Sequence, residues 1–417
     1  MDSKHCRYAK DKKNPLPNTA HDRLPSPMTL LLEHDTTPTL QVTRIDAREL
    51  PATLADDWNR LAADMPLRRW EWLAPWWKHY GAADDRLCVL IVRNQHGEIV
   101  GLAPWYQTRT LFDGRALRFL GDNEICTDYQ TLLAEPAHAD AVVAAIGDWL
   151  LGAGRHEWDT LDWRGKLATD PLLELLAARL LAAGGASRQR ALENSWRVEL
   201  PATWSEFTSR CLSRNRREKL KSLDRKYVVP GRAKLHTLTR AEELDEYLEI
   251  LQRLHQNRRA DLGQAGCFAN PTFKIFHREV LQNLLELDRL QLHYLELDGT
   301  PAASMYCLRG EGGVFQYQSG MDATREHLQP GWTCQLLAMR QSLEQGARFW
   351  DFLRGDEAYK ASWGAASLPL VQQRLAAPRT VALWRQRWWG AQIDLRRWAK
   401  RTLRRLTTTA NKYKSQE

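Results

Sequence analysis

The sequence has few of the features that mark a membrane-spanning, secreted or metal-dependent protein. No apolar run approaches the ~20 residues that a membrane-spanning helix needs. None of the seven cysteines forms a C-x-x-C pair, and the 12 histidines show no H-E-x-x-H or similar ligand spacing. We therefore expect reduced thiols, a cytoplasmic location and no bound metal ion.

The first 27 residues also lack the apolar stretch that a secretory signal requires. They mix Lys, Pro, Asn and His, and we expect a disordered leader there, with either Met1 or Met28 as the start of translation. The whole chain has 417 residues, 43% of them hydrophobic and 26% charged, which is typical of a soluble protein. That length allows two domains of ~150 residues each.

The net charge of +8 is concentrated at the two ends of the chain. Residues 379–417 contain 11 Lys or Arg and 2 acidic residues, and residues 1–27 contain 6 Lys or Arg and 3 acidic residues. The part between them is close to neutral. The basic character therefore belongs to the ends and not to the body of the protein.

Two segments repeat the same order of predicted elements, which indicates an internal duplication. Residues 87–109 and 290–310 each alternate polar and apolar residues around a tight turn, as two hairpin strands do. Each hairpin precedes a strand, an apolar-periodic helix (about 139–151 and 333–345) and a strand that ends in Arg-Gly. With the strand and amphipathic helices upstream, both halves read β-α-α-β-β-β-α-β. The junction falls near residues 185–205, where Gly, Ser and charged residues cluster.

Eight short segments between residues 40 and 365 carry a resemblance to a known fold: WEWLAPWWKHYG, GLAPWY, LRFLGDNEICTDYQTLL, RNRREKL, LHQNRR, QYQSGMD, QPGWTCQLL and DFLRGDEAYKASWG. The element order, with a helix after the fourth strand, resembles the GNAT acyltransferase fold, and its doubling resembles the tandem-GNAT proteins. More narrowly, the chain is similar to the CelD-like acetyltransferase family of cellulose biosynthesis. It is more distantly similar to the Fem-type peptidoglycan aminoacyltransferases.

This resemblance implies an α/β (α+β) fold with two tandem GNAT units, each a mixed central sheet flanked by helices. We expect a leader at 1–27, a degenerate GNAT-like domain at 28–190, a GNAT domain with the donor site at 191–378, and a basic helical tail at 379–417.

The first half lacks a glycine loop where its helix begins. Glu135 and Asp140 lie there instead, and carboxylates at a helix N-terminus would repel a pyrophosphate. We expect this half to shape the acceptor groove or to stabilise the second half. The resemblance implies that Asp128 and Tyr129 line that groove, and a structural hydrogen bond is the alternative for both.

In GNAT enzymes the acyl donor lies along strand four, and its pyrophosphate lies at the N-terminus of the following helix. The resemblance places that strand, with Gln318, at residues 313–322 and the donor loop at Gln329, Pro330, Gly331, Trp332 and Thr333. In this loop the glycine would let the backbone approach the donor, the proline would stiffen the entry, and the threonine would cap the helix. The donor implied is acetyl-CoA or another acyl-CoA. An ordinary loop and helix cap is the alternative, and the family signature expects glycine or alanine where threonine stands.

The residues that follow strand five would face the reacting groups, and they are rich in ionisable side chains: Asp351, Arg354, Asp356, Glu357, Tyr359 and Lys360. Acyl transfer to an amine needs a neutral amine and a proton for the leaving thiolate. We expect Asp356 or Glu357 to act as the base or to orient the amine, Tyr359 to donate a hydrogen bond or proton, and Lys360 to bind an anionic group. Asp351 and Arg354 would bind the acceptor. A solvated turn with a surface lysine is the alternative.

Two further clusters are candidates for acceptor binding. Residues 213–227 form a basic helix, and Arg217 on it could bind a phosphorylated or polyanionic acceptor. The alternative is that this helix only presents an exposed basic face to solvent, as most basic helices do. His255 and Arg258 end the next helix and could reach the same pocket. A helix C-cap is the alternative role for them.

The basic tail places Trp384, Trp388, Leu395, Trp398 and Leu406 near one helical face. Tryptophan with arginine on an amphipathic helix suits an anionic membrane surface, and we expect peripheral contact with the inner face of the membrane. Docking of this face on the body and nucleic-acid binding are the alternatives.

Together these observations predict a cytoplasmic GNAT N-acyltransferase that moves an acyl group from acyl-CoA to an amine on a sugar, lipid or cell-envelope (exopolysaccharide) precursor. One alternative is a Fem-type transferase that uses aminoacyl-tRNA. The other is a catalytically inactive GNAT scaffold at the membrane.

Overall fold

A computed structural model describes residues 40–45, 47–395 and 398. The predicted leader at residues 1–27 and Leu406 of the tail lie outside these described residues. Within the described part of the chain, the helices are too short or too polar to cross a lipid bilayer.

The strands alternate with helices along both halves of the chain. They are β1 (Gln41–Ile45), β2 (Arg86–Leu87), β3 (Val89–Arg93), β4 (Ile99–Ala103), β5 (Trp105–Thr110), β6 (Gly114–Phe119), β7 (Leu133–Ala134), β8 (Thr160–Leu167), β9 (Ala186–Ala191), β10 (Ser195–Glu199), β11 (Ala233–Thr237), β12 (Leu290–Leu297), β13 (Thr300–Gly310), β14 (Gly313–Met321), β15 (Phe349–Arg354), β16 (Ala366–Leu368) and β17 (Leu370–Ala376). The helices are α1 (Ala55–Leu61), α2 (Trp70–Tyr80), α3 (Ala139–Leu151), α4 (Pro171–Ala182), α5 (Trp204–Cys211), α6 (Arg214–Leu223), α7 (Leu244–Asp261), α8 (Pro271–Glu286), α9 (Pro330–Glu344), α10 (Ala358–Ser362) and α11 (residues 380–395).

Local sequence explains where several of these helices begin. Asp170 accepts a hydrogen bond from the backbone N–H of Leu173, and the proline at the first position of α4 has no N–H to satisfy. Asn270 caps α8 in the same way, again directly before a proline. The predicted helix at 139–151 coincides with α3, whereas the helix predicted from residue 333 begins three residues earlier, at Pro330.

The strands form three sheets, in the orders β1-β3-β4-β7, β2-β5-β6-β8-β17-β9 and β11-β12-β13-β14-β15-β10-β16. The two larger sheets are mixed, because β6 pairs with β8 and β14 pairs with β15 in parallel while their other pairings are antiparallel. The predicted fold class, mixed sheets flanked by helices, is confirmed.

One strand crosses between the halves. β10 stays with its own half, in the seven-stranded sheet between β15 and β16. β17 comes from the end of the second half but lies in the six-stranded sheet, between β8 and β9 of the first half. The six-stranded sheet therefore contains strands from both halves of the chain.

A large apolar core contains side chains from both halves. The Trp72 ring on α2 packs edge-on against Phe276 on α8 and Tyr317 on β14, with centroids 5.5 Å and 5.0 Å away. This shared core fixes the first half against β14, the strand that borders the candidate site.

The parallel strands β14 and β15 separate soon after they pair. Their register comprises only Val314 with Trp350 and Phe315 with Asp351. On β14 an irregularity follows at Tyr317, where the register with β13 shifts, and such a bulge bends a strand and redirects its side chains. A gap therefore opens between the two strands toward their C-terminal ends.

Candidate active site

An open cavity of about 630 Å³ lies beside β13 and β14 and is bordered by three helices. The helices α6, α7 and α9 contribute one residue or more each, and the loop before α10 completes the wall. Of the residues proposed from the sequence, seven line this cavity: His255, Arg258, Gln329, Gly331, Trp332, Glu357 and Tyr359.

The N-terminus of α9 opens into the cavity. Gln329 adopts a left-handed conformation (φ 58°, ψ 48°), and Pro330 begins the helix directly after it. Because the first N–H groups of a helix have no partner within it, those of Gly331 and Trp332 are positioned to bind an anion. The predicted cap by Thr333 is wrong: its hydroxyl donates to the carbonyl of Gln329 instead, and no side chain caps α9.

Cationic side chains surround this helix end. The Trp332 ring stacks on Trp363 with centroids 5.1 Å apart. Lys219 Nζ and Arg216 Cζ, both on α6, lie 4.0 Å and 4.1 Å from the centre of the Trp332 ring. Burial, with a smaller contribution from Arg216, lowers the pKa of Lys219. The α9 N-terminus therefore has a fixed aromatic ring and two cations beside it.

His255 on α7 lies at another wall of the cavity and is 2% exposed. Its Nδ1 is 3.1 Å from Gln256 Oε1, while Gln256 Nε2 donates to the carbonyl of Ala265. The amide oxygen can only accept, so Nδ1 carries the proton and the lone pair is on Nε2, which lies 3.7 Å from Cys267 Sγ. Burial lowers the pKa of His255 and keeps the ring neutral.

Two further polar residues line the cavity, the half-buried Tyr359 and the buried Gln335. Burial raises the pKa of Tyr359, so this phenol stays protonated. Gln335 on α9 is 3% exposed, and its Nε2 has no hydrogen-bond partner within the described residues. Such an unpaired buried donor is costly and points to a bound acceptor group.

Glu357 lines the cavity, but Lys360 beside it does not. Lys360 is 2% exposed, and its ammonium donates to the carbonyls of Leu353, Arg354 and Gly355 at 3.1, 2.9 and 3.0 Å. Lys360 Nζ also lies 3.0 Å from Glu357 Oε2. In this structure Lys360 holds the end of β15 in place, and its ammonium does not line the cavity.

Asp356, the other proposed base, lies outside the cavity. Its carboxylate accepts hydrogen bonds from the side chains of Asn194 and Trp196 at 2.9 and 3.1 Å. The bond from Asn194 is the largest influence that lowers the pKa of Asp356. This carboxylate is therefore suited to fixing the loop before α10 against β10.

The predicted acceptor residues of the first half make structural hydrogen bonds to β15, which is the alternative stated for them. Asp128 is buried and pairs with Arg354, whose Nε donates to Asp128 Oδ1 at 2.9 Å. Tyr129 Oη donates to Asp351 Oδ2 at 2.7 Å, and Arg197 Nε donates to the same oxygen at 2.9 Å. Burial raises the pKa of Asp128 to about 6, although the Arg354 guanidinium opposes that shift.

The same loop of the first half bridges the gap between β14 and β15. Tyr317 Oη on β14 donates to the carbonyl of Ile125 at 2.7 Å, while Asp128 contacts Arg354 on β15. The cavity lies on the side of the gap where α9 begins.

Three other proposed residues do not line the cavity. Arg217 donates to the carbonyls of Ser209 and Leu212, and neither Gln318 nor Pro330 is among the lining residues. Lys219 and Gln335 were not proposed as site residues.

At the N-terminus of α3 in the first half, Glu135 stands where the second half has its glycine loop. Its carboxylate pairs with Arg60 and with His138. The N-terminus of that helix therefore already has an anion beside it. In the described part of the chain, no cluster of three or more His, Cys, Asp or Glu side chains could hold a metal ion.

Comparison with known proteins supports a domain assignment. No curated protein sequence matches this chain significantly. Residues 214–361 match the acetyltransferase (GNAT) domain family. The fold is similar to that of FemX (10% identity, 80% of this chain and 96% of that chain, TM-score 0.55). It is also similar to a conserved protein of unknown function from Bacteroides thetaiotaomicron (10% identity, 81% and 100%, TM-score 0.53).

The domain match covers α6 to α10, the elements that supply the cavity. Residues 214–361 thus carry a GNAT acetyltransferase domain, and this assignment supports an acyltransferase.

Proposed function

We propose that the protein transfers an acyl group from acyl-CoA to an amine on a sugar, lipid or cell-envelope precursor. One observation carries the proposal: a single cavity combines a cation-flanked helix N-terminus with a neutral buried histidine and a protonated tyrosine. The first feature suits a pyrophosphate, and the other two suit proton transfer.

The residues present fit a phosphate-bearing donor. The N–H groups of Gly331 and Trp332 would bind pyrophosphate oxygens, with Lys219 and Arg258 supplying positive charge. The unpaired Gln335 Nε2 would donate to a carbonyl of the pantetheine arm. The donor supplies a thioester whose carbonyl carbon is open to attack by an amine.

His255 and Tyr359 would handle the two protons of this reaction. As the C–N bond forms, His255 Nε2 accepts a proton from the amine, because burial leaves that nitrogen unprotonated at neutral pH. As the C–S bond breaks, the Tyr359 hydroxyl gives a proton to the departing thiolate. Glu357, on the rim, would orient the amine, which loses its extra proton to solvent before it attacks. Transfer of a proton from the His255 imidazolium to the Tyr359 phenolate would then restore both side chains.

The class of acceptor rests on the resemblance of the sequence to the CelD-like acetyltransferases. The acceptor would approach beside Glu326 and Glu357, whose side chains are 61% and 56% exposed and line the same cavity. Glu326 pairs with Arg258 at 3.4 Å and Glu357 with Lys360 at 3.0 Å, so this side of the cavity carries both signs of charge and suits a polar acceptor.

Calorimetric titration of acetyl-CoA and CoA into the full-length protein tests the donor. We expect micromolar binding that Lys219→Ala weakens about tenfold, the effect of losing one charge-assisted contact. Lys221→Ala is the matched control, because this lysine lies on the same helix but pairs with Glu218 and does not line the cavity. Nonspecific binding of CoA phosphates to the basic tail would be the same in both variants.

Absence of acetyl-CoA binding by folded protein would refute the proposal. A second candidate, a Fem-type transferase that uses aminoacyl-tRNA, is favoured by the similarity of the fold to FemX and by the basic helix α6. Titration with aminoacyl-tRNA distinguishes it. Donor binding without turnover of any amine would instead favour an inactive scaffold.

A further inference from the structure

The outer face of α11 is apolar and exposed. Its side chains recur at positions 381, 384, 388 and 395, the spacing of one helical stripe, and Trp398 follows at the same spacing. Trp384 is 67% exposed, Trp388 51% and Leu395 63%. We call Val381, Trp384, Trp388 and Leu395 the Trp stripe.

The opposite face of α11 holds the helix on the body of the protein. Ala382 is fully buried, and Gln386 Nε2 donates to the carbonyl of Arg374 on β17 at 3.0 Å. Arg374 Cζ also lies 4.6 Å from the centre of the Trp389 ring. Because this inner face is docked, the orientation of the Trp stripe toward solvent is fixed.

The tip of the β5–β6 hairpin extends the exposed apolar surface. Leu111 and Phe112 are 90% and 67% exposed, the former being the most exposed large apolar side chain in the described chain. Leu111 shares an open cleft with Val381 and Arg385, and the Arg385 guanidinium lies against Gly114 at the end of this turn. The hairpin tip and the start of the Trp stripe therefore form one continuous surface.

Positive charge borders this surface. Asp159 is shared by Arg115, Arg379 and Arg385, which leaves the group with a net positive charge. Residues 396–417 add eight Lys or Arg and one acidic residue to the sequence directly after the described helix.

We propose that the Trp stripe and the hairpin tip together form a docking surface for an anionic membrane. Indole rings on an amphipathic helix insert at the headgroup level, and arginines beside them pair with lipid phosphates. Two apolar projections fixed on one rigid body would hold the protein in one orientation on the bilayer. The inference goes beyond the proposed reaction and does not depend on it.

Flotation of the full-length protein with vesicles tests this surface. We expect binding to vesicles of phosphatidylcholine with phosphatidylglycerol that falls as salt rises, and little binding to phosphatidylcholine alone. Trp384→Ala with Trp388→Ala, and separately Leu111→Ser with Phe112→Ser, should each weaken binding about tenfold or more. The control is Ile275→Ser, since that side chain is 57% exposed on α8 and belongs to neither element.

The hairpin variant makes the test specific, because basic residues of the tail alone would not require Leu111 and Phe112. If this variant binds the vesicles as well as the wild type does, the proposal that the hairpin tip is part of the docking surface is refuted. Binding of an oligonucleotide that displaces the vesicles and is weakened in both variants would assign the surface to nucleic acid. A dimer in sedimentation that the tryptophan variant abolishes would assign it to a second copy of the chain.

Discussion

The fully buried His277 predicts a marked loss of stability in mild acid. Its ring lies on α8 among aromatic side chains, the nearest being Phe273 at 4.2 Å and Phe276 at 4.8 Å between centroids. Neither ring nitrogen has a hydrogen-bond partner within the described residues. Burial lowers the pKa of His277 from 6.5 to about 3, so the folded protein holds this ring neutral.

The sign of the effect follows from which state binds more protons. Below pH 6.5 the unfolded chain protonates His277 while the folded chain does not, so stability present above pH 6.5 is lost as the pH falls toward 3. At pH 5 the difference is about 2 kcal/mol for this one group. His293, whose pKa burial lowers to about 4, adds a similar amount over the same interval.

Urea unfolding at pH 7 and pH 5 measures this difference for the wild type and for His277→Leu. Leucine matches the ring in size and removes two unpaired polar atoms, so we expect no loss of stability at pH 7. The acid-induced loss should shrink by about 2 kcal/mol. The control His96→Gln changes an exposed histidine in the β3–β4 turn. If His277→Leu loses as much stability in acid as the wild type, the assignment of the effect to this ring is refuted.

Three further predictions concern the candidate site and its supports. Arg354→Ala should destabilise the protein by about 3–5 kcal/mol in urea unfolding at pH 8, because Asp128 is left buried and unpaired; a change within error would mean that the pair contributes nothing. Lys360→Met should cost about 3 kcal/mol in the same assay, since three carbonyls lose their donor, and an unaltered midpoint would contradict that role. Tyr359→Phe should lower kcat about 100-fold in steady-state kinetics while the Kd for acetyl-CoA stays the same, and full activity would remove the tyrosine from proton transfer.

The sequence indicated the start of α9 because its signal is local. A glycine and a proline at the start of an apolar-periodic helix mark a helix N-terminus without reference to the rest of the chain, and Gly331 indeed lies in the first turn of α9. The duplicated element order likewise depends on short-range periodicity, which is why the strands and helices around both hairpins were predictable.

The roles of the ionisable residues after β15 could not be read in this way. Asp356 and Glu357 are adjacent in sequence, yet one bonds to Asn194 across the sheet and the other lines the cavity. The Lys360 ammonium donates hydrogen bonds to three carbonyls that the turn at Gly355 places close together. Such outcomes depend on where the backbone turns, and Gly355 adopts a φ of 126° that the sequence pattern does not specify.

The position of β17 has a consequence for synthesis of the chain. Until residues 370–376 leave the ribosome, β8 lacks its partner and presents an unpaired edge that ends with residue 167. At ~5–20 residues per second, that interval lasts roughly 10–40 s. During it the nascent first half holds an open strand with Leu161 and Trp163, which are buried in the finished protein. A chaperone that binds nascent chains would therefore bind the open edge of β8 in the first half. It would be released when β17 pairs with that edge.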